Sequence, residues 1–249
     1  MTALTLAGIG HAYLGRTVLD NVELAVAPGE VVALVGASGC GKSTLVQIAA
    51  GIIEPMRGRT VRSYARQGMV FQEPRLMPWA TAVDNIAYPL KLVGVPYGER
   101  RGRARAAAAR VALAADDLGK FPVALSGGMR QRAAIARALV VEPDFVFFDE
   151  PFTALDQALK RRMQDLVIEA ATMQAFAALF ITHDLIEAVR IAHRIAVLDL
   201  NGRGVAGERT LPGVPGMRQD RDIFDEVQSF LHDDPLFCHI NDVDERREA

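Results

Sequence analysis

Residues 36–43 have the residue types and the spacing of a loop that binds phosphate. They read Gly-Ala-Ser-Gly-Cys-Gly-Lys-Ser, which fits the pattern G-x-x-x-x-G-K-[ST]. The glycines let the backbone fold close around an anion, so that several N–H groups point inward. Lys42 can reach the outer phosphates, and the hydroxyl of Ser43 can hold Mg²⁺. The residues that we predict to bind a nucleotide triphosphate here are Gly36, Ala37, Ser38, Gly39, Cys40, Gly41, Lys42, Ser43 and Thr44.

The elements on either side of the loop are those that such a motif needs. Val31–Val35 is a short run without polar residues, which predicts a strand buried on both faces. Residues 43–50 predict a helix, whose N-terminus adds partial positive charge at the loop. An ordinary glycine-rich turn is the alternative, but it leaves Lys42 and Ser43 directly after the last glycine unexplained. The motif alone indicates a nucleotide and no particular class of enzyme.

Two carboxylates follow a second run of buried-strand type. Residues 145–148 are Phe-Val-Phe-Phe, and Asp149 and Glu150 come directly after them. Ligands collect at strand ends in sheets of this kind. Asp149 fits the role of a Mg²⁺ holder, and Glu150 fits the role of a general base that polarises the attacking water. A solvated Asp-Glu pair that opens the next helix is the alternative.

Buried-strand runs alternate with helical segments through most of the chain. Residues 179–181 and 195–198 repeat the pattern, and helices are predicted at 127–140 and 155–171. This alternation predicts an α/β fold with a mainly parallel sheet. The first thirty residues alternate apolar and polar instead, so they predict an N-terminal antiparallel β subdomain. The stretch from about 74 to 140 predicts a helical insert.

The bulk composition excludes several classes of protein. The chain has 249 residues, 50% of them hydrophobic, and a formal net charge of −2. That charge gives no global attraction to nucleic acid, and no apolar run approaches the ~20 residues of a membrane span. No secretory signal is expected at the N-terminus. The arginines of residues 100–110 are either a solvated helix face or a nucleic-acid patch; we favour the former and predict no nucleic-acid partner.

Residues 125–132 form a second glycine-rich helix start, Leu-Ser-Gly-Gly-Met-Arg-Gln-Arg. Ser126 can cap the helix, and such a helix N-terminus is an anion site. With this segment the chain resembles the ATP-binding-cassette (ABC) ATPases, whose signature motif it matches and which kinases and GTPases lack. In that family Ser126, Gly127 and Gly128 would bind the γ-phosphate of ATP held by the other subunit. The resemblance therefore implies a second ATPase subunit in a head-to-tail dimer.

Four further residues follow in the order that the family has. Gln72 resembles the glutamine that senses Mg²⁺ and the membrane subunit, and Asp156 resembles a residue of the loop that crosses the dimer interface. His183 resembles the switch histidine that contacts the γ-phosphate. Tyr13 resembles the aromatic residue that stacks on adenine, although a lone tyrosine near a strand end can equally be a packing residue. For catalysis, the resemblance and the motifs together imply Glu150, His183 and Gln72. For binding Mg²⁺, they imply Ser43, Gln72 and Asp149.

Residues 71–79, Phe-Gln-Glu-Pro-Arg-Leu-Met-Pro-Trp, resemble the nitrate/sulfonate/taurine importer branch of the family. The resemblance implies an ATPase at the cytoplasmic face of the inner membrane that powers import through a separate transmembrane permease. A periplasmic solute-binding protein would be an indirect partner. The resemblance also implies an ATPase domain over 1–205 with a helical subdomain at about 74–140, and a tail over 206–249 with a short amphipathic helix. An exporter ATPase and a soluble non-transport ABC protein are the alternatives.

Cys40 lies beside the helix that follows the phosphate loop. A helix N-terminus can lower the pKa of a thiol, so we expect Cys40 to be reactive. Alkylation would then block activity, and ATP would protect the thiol.

Overall fold

The computed structural model describes residues 2–237, which contain nine strands and seven α-helices. The predicted tail therefore continues beyond them, into residues 238–249. The strands are β1 (Leu4–Tyr13), β2 (Arg16–Val26), β3 (Val31–Val35), β4 (Arg57–Arg62), β5 (Gln67–Val70), β6 (Phe145–Asp149), β7 (Ala177–Ile181), β8 (Arg194–Leu198) and β9 (Val205–Thr210). The helices are α1 (Lys42–Ala49), α2 (Ala82–Leu92), α3 (Tyr97–Arg110), α4 (Gly127–Leu139), α5 (Gln157–Gln174), α6 (Leu185–Ile191) and α7 (Asp220–Asp233).

The chain divides into two compact units. Unit 1 comprises Met1–Tyr64 and Ala177–Ala249, and unit 2 comprises Ala65–Phe176.

Unit 1 contains the antiparallel sheet that the alternating N-terminal pattern predicts. Its strand order is β2-β1-β4, and both pairings are antiparallel. The hairpin between β1 and β2 turns at Leu14 and Gly15, which both have positive φ, as the tightest hairpin loops require. Leu4, Leu6 and Ile9 bury the inner face of β1.

Unit 1 also contains four strands around β3. The order is β7-β3-β8-β9, with β3 parallel to both β7 and β8 and with β9 antiparallel to β8. Every residue of β3 and β7 is buried, which explains why neither strand carries a polar residue. The phosphate loop follows β3 and leads into α1. Helix α7 buries Ile223, Val227 and Phe230.

Unit 2 holds the parallel pair β5 and β6 together with four helices. Side chains at their N-caps begin three of them: Thr81 for α2, Ser126 for α4 and Asp156 for α5. On α3, Arg101 pairs with Asp84 at 2.8 Å, as expected of a solvated face rich in ion pairs. Within residues 2–237, no helix combines the length and the apolar character needed to cross a bilayer.

Candidate nucleotide-binding site

The phosphate loop of unit 1 has the backbone geometry that its glycines predict. Gly36, Gly39 and Gly41 have φ of 154°, 78° and 105°, backbone angles that residues with a Cβ rarely adopt. At Gly41 the packing demands glycine as well, because an added Cβ would lie 2.8 Å from Cδ2 of Leu19. The loop is therefore a formed cradle.

Lys42 occupies this cradle with its charged end. The residue is only 7% exposed, and its Nζ donates to the carbonyl oxygens of Gly36 at 2.7 Å and Ala37 at 2.8 Å. Carbonyl oxygens are neutral acceptors, so neither of them offsets the positive charge of the ammonium. A phosphate oxygen entering the loop would form a stronger, charge-assisted hydrogen bond. The arrangement fits the triphosphate of a nucleotide.

A cavity of about 520 Å³ opens beside the loop, within unit 1. Its lining includes Gly39 and Cys40 of the loop, Arg16 and Val18 of β2, and Arg203 between β8 and β9. This volume falls within the range of small-molecule sites in proteins.

The expected low pKa of Cys40 is wrong. The thiol is 3% exposed, and burial raises its pKa, although the charge of Lys42 acts in the opposite direction. Desolvation disfavours the thiolate more than the nearby positive charge favours it. Protection by ATP stays a prediction.

Two further predicted site residues belong to unit 1. Tyr13 ends β1 and is 46% exposed, so one part of its ring is accessible. His183 lies between β7 and α6 and is exposed. His11, which the sequence did not single out, packs edge-on against Tyr13 with the ring centroids 4.8 Å apart. The sequence could have indicated this contact, because His11 stands two residues before Tyr13 on one strand and residues two apart lie on the same face.

The acid pair of unit 2 lies at the end of β6, as predicted. Asp149 is buried, whereas Glu150 is partly exposed and has φ 45°. Positive φ is uncommon outside glycine, and such strained residues cluster at functional sites. The hydroxyl of Thr153 donates to the backbone carbonyl of Glu150 at 3.2 Å, which helps to hold this turn.

Gln72 is exposed in the loop between β5 and α2, and α4 fastens this loop. The buried side chain of Gln131 donates to the carbonyl of the residue before Gln72 at 3.3 Å. Arg137 donates to the carbonyl oxygens of Pro74 at 2.8 Å and Arg75 at 2.9 Å. The sequence placed Gln131 in the signature segment without indicating this contact, and it did not identify Arg137, because a hydrogen bond across some sixty residues leaves no local pattern.

The signature segment begins α4 with an exposed N-cap. Ser126 has extended backbone, and its Oγ accepts from the N–H of Met129 at 3.2 Å. The space beside Gly127 is open: apart from its chain neighbours and the backbone of its own helix, no heavy atom of residues 2–237 would lie within 4 Å of a Cβ at this position. Asp156 is also exposed and caps α5 through the N–H of Leu159 at 2.9 Å.

The predicted site residues thus fall into two sets. Unit 1 carries the phosphate loop, Tyr13 and His183; unit 2 carries Gln72, Ser126, Gly127, Gly128, Asp149, Glu150 and Asp156.

A buried parallel strand, a glycine-rich loop with an enclosed lysine, and a following helix define a P-loop nucleotide triphosphatase. Comparison with known proteins narrows this class. The family model described as "ABC transporter" matches residues 19–153. The chain belongs to the ABC transporter family.

Several relatives cover most of the chain. The aliphatic sulfonates import ATP-binding protein SsuB 1 of Streptomyces avermitilis is 45% identical over 198 residues, which are 80% of this chain and 74% of that protein. The protein of the same name, without the number, from Mycobacterium sp. is 40% identical, covering 92% of this chain and 91% of its own length.

Solved structures agree with the sequence relatives. An ATP-binding cassette, described as a dimer in a post-hydrolysis state bound to ADP and Pi, superposes with a TM-score of 0.78 at 30% identity. The match covers 84% of this chain and 99% of that one. These findings confirm the resemblance to ABC ATPases, the α/β fold with its N-terminal antiparallel sheet, and the prediction of an ATPase.

Proposed function

We propose that this chain is the ATP-hydrolysing subunit of an importer for aliphatic sulfonates or chemically similar small solutes. The observation that carries the enzymatic part is Lys42, held inside a formed phosphate loop against neutral carbonyl oxygens. The solute class is supported by the relatives, which are named as aliphatic sulfonate import proteins at 40–45% identity.

Catalysis would depend on positioning and charge stabilisation, with little covalent chemistry from the protein. Lys42 and the loop N–H groups would bind the phosphates, and Tyr13 would stack on the adenine. Glu150 would accept a proton from the attacking water, and its strained backbone supports a functional position. His183 would contact the γ-phosphate.

The oxygen donors of Ser43, Gln72 and Asp149 fit Mg²⁺, which prefers carboxylate, hydroxyl and amide oxygens. Asp149 is buried at the end of β6, and ligands collect at strand ends in sheets of this kind. When bound, Mg²⁺ would neutralise charge on the β- and γ-phosphates. The residues of the chain would orient these oxygens.

The working form would be a head-to-tail dimer. Ser126 is exposed at the start of α4, Gly127 and Gly128 are partly exposed, and a Cβ on Gly127 would meet no neighbour among residues 2–237, which supports binding of a γ-phosphate held by a second subunit. Asp156 would lie at the interface. ATP would favour closure because its γ-phosphate contacts both subunits, and hydrolysis would remove that bridge.

The loop after Gln72 would receive the transmembrane permease. Trp79 in this loop is 76% exposed, while the buried side chain of Asn85 bonds to Met77 and to the carbonyls of Ala80 and Thr81. A rigid loop that presents an exposed aromatic residue is suited to docking. The chain would then sit peripherally at the cytoplasmic face of the membrane, and a periplasmic solute-binding protein would deliver the solute.

We propose a domain organisation in which each part of the chain carries one of these roles. Residues 1–205 would form the ATPase domain, with the helical subdomain at about 74–140 carrying the permease-facing loop and the signature helix. Residues 206–249 would form a tail that begins within β9 and includes the amphipathic helix α7.

The test is ATPase activity of the chain copurified with its permease in liposomes, with an alkanesulfonate and the solute-binding protein added. We expect the alkanesulfonate to stimulate hydrolysis of ATP. Stimulation by nitrate alone would reject the sulfonate assignment, and the absence of any stimulating solute would favour an exporter or a non-transport protein.

Glu150→Gln is the reference variant for the chemistry. We expect kcat to fall about 10²–10⁴-fold, as for loss of a general base, while ATP binding is kept and the dimer becomes trapped. Asp165→Asn, on the partly exposed helix α5, is the matched control. Hydrolysis at the normal rate by Glu150→Gln would remove Glu150 from this role.

A further inference from the structure

His11 is a buried side chain placed directly behind the exposed Tyr13. It is 8% exposed, and its ring meets that of Tyr13 edge to face, at an interplanar angle of 73°. Residues two apart on a strand share one face, so this contact follows from the geometry of β1. Edge-to-face packing is a favoured arrangement for such rings. The orientation of the Tyr13 ring is thus determined on one side by His11.

The same histidine connects to the phosphate loop through the neighbouring strand. Across the hairpin His11 pairs with Leu19, and cross-strand partners lie side by side on one face. Leu19 is fully buried, and its Cδ2 fills the space in which a Cβ of Gly41 would lie. A packed line therefore runs from Tyr13 through His11 and Leu19 to Gly41.

The strand pairing is irregular on both sides of His11. The register between β1 and β2 shifts between Ile9 and His11, and again between His11 and Ala12. Such irregularities re-aim side chains and are frequent near active sites. At both shifts the extra residue lies on β2, so β1 keeps its alternation and His11 stays on the same face as Tyr13.

We propose that His11 is a positioning residue for the nucleobase: it holds the Tyr13 ring at a fixed place relative to the phosphate loop. A base can then stack on Tyr13 while its triphosphate occupies the loop. This inference rests on the proposed stacking role of Tyr13. Without His11 the Tyr13 ring would sample other orientations, and the contribution of the base to affinity would fall.

The test compares a ligand with a base and a ligand without one. Isothermal titration calorimetry gives the Kd of ATP and of inorganic tripolyphosphate for the wild-type chain and for His11→Ala. We expect His11→Ala to weaken ATP binding about 3- to 10-fold, the range of one aromatic contact, and to leave tripolyphosphate binding unchanged. His11→Ala combined with Tyr13→Ala should bind ATP no more weakly than Tyr13→Ala alone.

Two further variants separate positioning from folding. His11→Phe keeps a ring in contact with Tyr13 and removes Nδ1, which lacks a hydrogen-bond partner in residues 2–237, so it should fold well and restore ATP binding. Ile9→Ala, a buried position on the same strand, should lower the melting temperature without changing the ratio of the two Kd values.

The outcomes distinguish this inference from the function on which it rests. If Tyr13→Ala weakens ATP binding and His11→Ala does not, the positioning role is overturned and the stacking role stands. If Tyr13→Ala leaves the ratio of the two Kd values unchanged, the stacking role fails and this inference fails with it. Equal weakening of ATP and tripolyphosphate by His11→Ala would show a structural role alone.

Discussion

The helices α1 and α4 both begin in glycine-rich segments, yet the two beginnings differ in structure. At α1 the N-cap is Gly41, in the left-handed region, and the loop encloses Lys42. At α4 the N-cap is Ser126, which is exposed and caps the helix with its own hydroxyl. Both ends carry the partial positive charge of a helix N-terminus.

The difference indicates what each end needs in order to bind phosphate. The α1 end has its own cation and a curled backbone, so one chain supplies a complete cradle. At the α4 end the nearby cation is Arg130, which donates outside the cap to the carbonyl oxygen of Leu125 at 2.8 Å, and neither Gly127 nor Gly128 has positive φ. Their role is to leave the helix end open. Such a surface suits a phosphate that is already held elsewhere, which supports the proposed dimer.

The largest expected effect comes from a negative charge at the open end. A Cβ at Gly127 meets no neighbour among the described residues, so Gly127→Asp should fold, and an acidic residue in a first turn favours a helix. It should repel the γ-phosphate, and like charges in contact cost several kcal/mol, so ATPase activity should fall at least about 100-fold. ATP binding by the monomer should persist. Steady-state assays measure the ATPase activity, and calorimetry measures ATP binding.

Gly98→Asp is the matched control, because Gly98 also lies in the first turn of a helix of unit 2 with open space around it. It should leave hydrolysis unchanged. Full activity of Gly127→Asp would show that the α4 end has no part in phosphate binding.

A smaller effect is expected at the enclosed end. Lys42→Ala removes the cation that would bond to phosphate, and hydrogen bonds to charged groups imply about 10- to 100-fold weaker ATP binding. Lys42→Met, which keeps the length of the side chain, should weaken binding by a similar factor, because charge and not packing is the cause. Equal ATP affinity of wild type and both variants in a titration would contradict the phosphate-loop assignment.

The smallest effect concerns the thiol inside the enclosed loop. Because burial raises the pKa of Cys40, the thiolate is scarce near neutral pH and rises only as the pH approaches that raised pKa. In a Cys238→Ser background we expect alkylation at pH 8 to be at least ~10-fold slower in the folded chain than in urea. A rate similar to that of the unfolded chain would show that the loop opens readily.

Much of the fold follows from local patterns. Val31–Val35 was predicted as a buried strand and is one, and the helix predicted over 127–140 is observed at Gly127–Leu139. The helix predicted to begin at residue 155 begins at Gln157 instead, because Asp156 caps it. Apolar runs, glycines and capping residues act within a few positions, so one sequence displays them.

Local sequence specifies the chemistry that is available: a lysine after glycines, two carboxylates after an apolar strand, and a capped glycine-rich helix. Contacts between distant parts of the chain set the surroundings of each group. The tertiary structure buries Cys40 and so raises the pKa of the thiol, holds Glu150 at positive φ, fastens the Gln72 loop to α4, and places His11 behind Tyr13. Desolvation and contacts depend on neighbours distant along the chain, and periodicity specifies a buried face without specifying what lies against it.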